Sequence, residues 1–327
     1  MRPSLDNSGP IGRSSFDDST RAAWNLRSKV ANDSMFEGIF RRETDTWTRI
    51  ASSGDKPARI ELGGGSGLCS QIVNVFLGLM YAEAHGYRAY LDESTALMRH
   101  STWPSFWNRY FMPVGVEHAL PDPLDLFWTH ETLQFSNQPT ISIPSLNLIG
   151  DRLTVKQIFF NRYIRLKPRV AAIVERRIRR LGLPAGYVSC KFRRGDKYID
   201  EPGHPPVNLD NYLQWLDPLM TKGTCVYAAS DDYQCVEELR AARPDWNIKS
   251  QPSKPGGFHA KQVPSWPADY LHEHVMDMLT ELQIMAASRI HVGMLGSNVC
   301  HVVAYMRQFK PNSTFISLDY PFPQAVN

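Results

Sequence analysis

From residue 187 onward the chain repeats one rhythm, a short apolar run followed by a segment of helical period. The runs are Tyr187–Phe192, Cys225–Ala229, Trp246–Ser250, Ile290–Met294 and Thr314–Leu318. Between them lie Asn208–Leu219, Asp232–Ala242, Val275–Ser288 and Asn298–Phe309, which carry helical spacing. Strands joined by helix-length crossovers pair in parallel, because a hairpin cannot make that connection. Five such strands predict one doubly wound parallel sheet, and ligands in sheets of this kind bind outside the carboxyl ends of the strands.

The first half is less regular but points the same way. Ala58–Leu62 reads as a strand, Gly63–Gly67 as a break, Cys69–His85 as a helix and Arg88–Leu91 as a second strand. Residues 101–150 hold many Trp, Phe and Pro without a clear period and read as loops and short helices. Val155–Leu181 has helical spacing broken at Pro168, and Gly182-Leu183-Pro184 closes it, glycine just past a helix end being a usual stop. The arginines near its end, Arg176, Arg177, Arg179 and Arg180, read as a solvated face with charge favourable to a helix C-terminus. The division expected is a polar N-terminal extension over 1–55, an α/β domain over 56–180 and a second α/β domain over 181–327. The boundary is expected near 165–185.

With 43% hydrophobic and 21% charged residues in 327, the chain can bury ordinary cores. A net charge of +3 does not argue for nucleic acid or a membrane surface, so any preference for anions must come from local placement. Five scattered cysteines lack metal-ligand or redox spacing and predict a reducing compartment. No apolar run suits a signal peptide or membrane span. A cytoplasmic location without a membrane span is therefore expected.

Four places carry candidate chemistry. The run Val188–Phe192 ends in Arg193-Arg194-Gly195-Asp196-Lys197, with Glu201 close behind. Two guanidiniums at a strand end suit an anion, phosphate above all. A glutamate among cations stays ionised and can accept a proton from an acceptor hydroxyl. In Gly63–Gly67 the glycines allow a ligand close to the backbone at a helix start, where N–H groups point outward. Ser230-Asp231-Asp232 follows the next strand, its acids either capping the helix or touching a ligand. Gly296-Ser297-Asn298 opens the last helix, with Ser297 at the N-cap or on a phosphate. On the helix before it, Asp277 and Glu281 lie one turn apart, facing solvent or reading a nucleobase.

In this order the motifs resemble the α-1,6-fucosyltransferases, with their nodulation-factor and protein O-fucosyltransferase relatives. Lys191-Phe192-Arg193-Arg194-Gly195-Asp196-Lys197 resembles the family's H-x-R-R-x-D-K, and Glu201 falls in register four residues after the lysine. Val226–Asp232 resembles the strand ending T-D-D, and Glu281–Cys300 the motif ending S-S-x-V-C. Gly65–Gln71 is similar to the family's first glycine loop. The likeness spans roughly residues 60–320.

It implies a GT-B fold, two Rossmann-like domains facing a cleft, and inverting, metal-independent transfer of fucose from GDP-fucose to a hydroxyl of a glycan acceptor, with no cofactor besides the donor. By the same likeness Arg193 binds the β-phosphate, Arg194 and Asp196 support the site, Glu201 is the base and Lys197 its partner. Gly65, Gly67 and Ser297 approach the diphosphate, and the guanine-reading aspartate falls on Glu281, with Asp277 one turn earlier. Lys191 replaces the family histidine and Gly296 the first serine of the third motif.

Two other readings differ in class. An S-adenosylmethionine-dependent methyltransferase built on Gly63–Gly67 leaves the arginine strand and both later turns unexplained. A non-catalytic binder of sugar nucleotides or glycans does not account for Lys197 and Glu201 together.

Overall fold

The computed structural model describes residues 49–63, 67–126, 129–193, 208–221, 223–251, 258–307 and 314–318, all within the unit Arg49–Asn327. Two parallel sheets organise it. The first has order β2-β1-β3, from β1 (Lys56–Glu61), β2 (Tyr87–Asp92) and the short β3 (Leu124–Asp125). Helix α1 (Leu68–Ala84) connects β1 to β2 and is buried on nearly every side. That explains its broad apolar content, since a helix covered all round needs no polar face.

The stretch expected to be loops and short helices holds α2 (Trp107–Tyr110) and α3 (His130–Ser136), but also strands. Besides β3, an antiparallel hairpin pairs β4 (Thr140–Ile143) with β5 (Leu148–Asp151). Each strand is four residues long and Ile149 is 72% exposed, so the apolar pattern is too short and too incomplete to signal a strand. Asn147 takes φ 50° in its turn, a left-handed conformation that asparagine tolerates.

The proline break divides the long helical segment into α4 (Arg152–Tyr163) and α5 (Pro168–Leu181). Asp151 caps α4 by accepting from the N–H groups of Leu153 and Thr154. Pro168 sits in the first turn of α5, where its missing donor costs nothing, and Gly182 ends the helix at φ 58°. This linker and helix lie in sequence between the strands of the two sheets, and Arg49–Asn327 form one compact unit.

The second sheet is the five-stranded one. It contains β6 (Val188–Phe192), β7 (Cys225–Ser230), β8 (Asn247–Lys249), β9 (Ile290–Gly293) and β10 (Thr314–Ser317), all parallel, in the order β10-β9-β6-β7-β8. Numbered within the sheet this is 3-2-1-4-5 read from the β8 edge, the dinucleotide-fold order. Its helices are α6 (Leu209–Leu216), α7 (Gln234–Ala242), α8 (Ala268–Ala287) and α9 (Asn298–Met306). Val188, Cys190 and Phe192 point to one face, into a core with Tyr212, Leu216, Val236 and Leu239. Alternation sends Ser189 and Lys191 to the other face, under α8.

The two sheets are joined by helices. α9 packs on α1 and α4. Gln157 and Asn161 of α4 donate to the carbonyls of Ala304 and Tyr305 at 2.9 Å each, and the rings of Phe76 and Tyr305 lie 5.0 Å apart. No described helix is long and apolar enough to cross a membrane. All five cysteines are buried and none forms a disulfide.

Candidate active site at the carboxyl edge of the second sheet

The strand order fixes where a ligand belongs. β6 lies between β7 and β9, and the chain leaves β8 to return on the far side of β6. The crevice of such a sheet opens at this switch, outside the ends of β6 and β9. The residues that end β6, β7 and β9 carry three of the four sequence motifs.

Lys191 is the penultimate residue of β6. Its side chain is 6% exposed, and Nζ lies 3.6 Å from Oε2 of Glu281 on α8. Burial pushes the Glu281 carboxyl up and the Lys191 ammonium pulls it back, while Asp277 and Asp231 raise it further. A charge this deep is tolerable because its partner is present; deleting one member leaves the other uncompensated.

Arg193 follows β6 directly and reaches across to β7. Its Nη1 lies 3.3 Å from Oδ2 of Asp231, with side-chain exposures of 19% and 8%. The two acids after β7 separate cleanly. Asp231 holds the arginine, while Asp232 accepts from the N–H of Gln234 and so opens α7. The N-cap position itself is Tyr233, which makes no side-chain cap, so Asp232 acts one residue ahead of the cap expected of these acids.

Two helix N-termini come to the same edge. Gly67 precedes α1, and Gly63 before it takes φ +92°. Burial pushes the Cys69 thiol, in the first turn of α1, up to about 12, and the Lys191 and Arg193 charges pull it partway back. Ser297 stands at the N-cap position of α9, 6% exposed, but its hydroxyl does not cap the helix. The turn before it depends on Gly293. A Cβ there would lie 2.6 Å from Sγ of Cys300 and 2.9 Å from Nε2 of His291.

The structure thus brings Lys191, Arg193, Asp231 and Glu281 together, with Gly67 and Ser297 at flanking helix starts. Asp277 is engaged elsewhere. Its carboxylate accepts from Arg177 of α5 at 2.7 Å, and the same arginine bonds Glu273 at 2.7 Å. Gly65, Arg194, Asp196, Lys197 and Glu201 lie outside the described residues. Among the described residues no group of three or more His, Cys, Asp or Glu is placed to hold a metal ion.

Two participants escaped the sequence reading. Phe258 packs 3.7 Å from where a Cβ on Gly67 would be, and its N–H bonds the carbonyl of Asp231 at 3.3 Å. His291 is buried behind β6, with Nδ1 2.8 Å from Oγ of Ser189. Phe258 lies outside every motif, and His291 sits within Glu281–Cys300 at a position that carries no signal of its own; only the folded chain shows their neighbours.

Chemically, the edge gathers a guanidinium and an ammonium, each paired with a carboxylate, beside two helix N-termini. Of these, a guanidinium and a helix N-terminus are groups that favour an anion.

No family model and no curated protein matches the chain. Among solved structures, fucosyltransferase NodZ from Bradyrhizobium superposes with a TM-score of 0.50 at 11% identity, covering 81% of this chain and 96% of that one. NodZ alpha-1,6-fucosyltransferase co-crystallized with GDP gives 0.50 at 11% identity, over 80% and 95%. At this identity the likeness is one of fold. The chain has the two-sheet α/β architecture of these fucosyltransferases, the fold that its motifs led us to expect.

Proposed function

We propose that the protein is an inverting, metal-independent glycosyltransferase that moves fucose from GDP-fucose to a hydroxyl of a glycan acceptor. The observation that carries this reading is Arg193, held by Asp231 at the switch point of a nucleotide-binding strand order. The ordered motifs and the fold shared with a fucosyltransferase co-crystallized with GDP support it. A departing diphosphate gains negative charge as the glycosidic bond breaks. A guanidinium already fixed in place, with helix N–H groups beside it, stabilises that charge without reorganising. Arg194 and Asp196 support this clamp, and Gly65, Gly67 and Ser297 lie along the diphosphate. Glu201 takes the proton of the acceptor hydroxyl as that oxygen attacks the anomeric carbon, with Lys197 keeping the carboxylate ionised. Attack on the face opposite the leaving GDP inverts the anomeric centre.

Thermal denaturation with GDP, UDP or S-adenosylmethionine decides the ligand class. Saturating GDP at a hundredfold its Kd should raise Tm by about 5 °C, because it binds the folded state alone. Stabilisation by S-adenosylmethionine and not by GDP overturns the reading. Arg193→Ala should lower turnover of GDP-fucose by about 10² to 10³. Glu201→Gln should remove transfer while GDP affinity stays within about twofold; unimpaired transfer would eliminate Glu201 as the base.

A further inference from the structure

Beside the diphosphate crevice stands a group of aromatic rings that no step above uses. Phe258 and His274 stack with centroids 5.4 Å apart and planes 14° from parallel. Trp266 meets His274 at 5.0 Å and Tyr270 at 4.9 Å, edge to face. Trp266 comes from the turn before α8, and Tyr270 and His274 from the first two turns of α8. Phe258 ties the group to the crevice through the Asp231 carbonyl and the Gly67 turn.

Rings that merely fill a core are covered. These are not: Tyr270 is 38% exposed and Trp266 half-buried. The indole N–H of Trp266 has no hydrogen-bond partner among the described residues. The two outer rings meet edge to face at 72°, so the pair offers inclined apolar surfaces and not two parallel faces. The parallel pair here, Phe258 on His274, is already closed on itself and leaves no gap between its rings for a planar base. A pyranose presents C–H groups on more than one side with hydroxyls at its edge, which suits two inclined apolar faces and a nearby N–H donor.

We infer that Trp266 and Tyr270 form the platform for a neutral pyranose of the acceptor, one sugar unit being held against the rings while its hydroxyl faces the crevice. This rests on the glycosyltransferase reading and adds to it the class of acceptor: an uncharged oligosaccharide recognised through ring faces.

The test uses the full chain and three hexasaccharides, cellohexaose, maltohexaose and chitohexaose, followed by ligand-detected NMR, with GDP binding measured by calorimetry. At least one saccharide should bind, and Trp266→Ala and Tyr270→Ala should each weaken it about tenfold while GDP affinity stays within twofold. Trp266→Phe and Tyr270→Phe, which keep a ring face, should restore most of the binding and report that the fold is intact. If none of the three binds, or if Trp266→Ala weakens GDP and spares the saccharide, the platform assignment is overturned. Saccharide binding without any GDP binding would instead defeat the glycosyltransferase reading and leave the platform standing.

Discussion

Single residues behind β6 make the site sensitive to substitution and to acid. Lys191 and Glu281 are each other's charge partner in a poorly solvated place. Glu281→Leu alone should cost about 3–5 kcal/mol, because it strands the ammonium, and adding Lys191→Met should recover most of the loss. Urea unfolding of the three variants measures both. His291 is held neutral well below its ordinary value of 6.5, first by burial and then by the nearby Arg307 and Lys191 charges. The unfolded chain therefore takes up the proton before the folded one does. Stability from this residue is present above about pH 6.5 and is lost as pH falls below it. Between pH 7 and pH 5 the loss should reach about 2 kcal/mol, and His291→Gln should remove that part of the slope. Little of this was readable in advance. Asp231 and Asp232 are adjacent and identical in type, and only the position of Arg193 assigns one to the ion pair and the other to the helix start.

Elements show how far periodicity reaches. The five strands of the second sheet fall within one residue of their expected ends; β6, β7 and β9 are buried runs between polar turns, while the edge strands β8 and β10 are only partly covered. Helix α8 begins at Ala268, well before the expected Val275, because its first turns carry aromatic and histidine side chains in place of an apolar stripe. Those same turns present the aromatic platform, so a weak helical signal and the inferred binding surface have one cause. The hairpin β4–β5 was missed because four-residue strands with one face exposed leave too few apolar positions to count. Where β9 ends, Gly293 leaves no room for a Cβ. Gly293→Ala should cost about 1–3 kcal/mol by crowding Cys300 and His291, and Cys300→Ala in the same chain should return part of it, as read from the denaturation midpoint.

At the scale of the whole molecule, α9 belongs to both halves. Its N-terminus faces the crevice, and its far end rests on α1 and α4. Tyr305→Ala should remove ring contacts to Phe76 and Phe160 and cost about 3–5 kcal/mol in a single unfolding transition. Two separate transitions would show that the halves unfold independently. This joint was not legible in the sequence, because Gln157 and Asn161 look like ordinary polar residues on a surface helix until their partners are placed. Those partners are main-chain carbonyls, at Ala304 and Tyr305. A carbonyl is supplied by any amino acid, so across related chains the joint constrains one side only. Variation at 304 leaves its bond intact, whereas no residue other than glutamine supplies an amide of the same reach at 157, and drift in this protein should be unequal along the two faces of one contact.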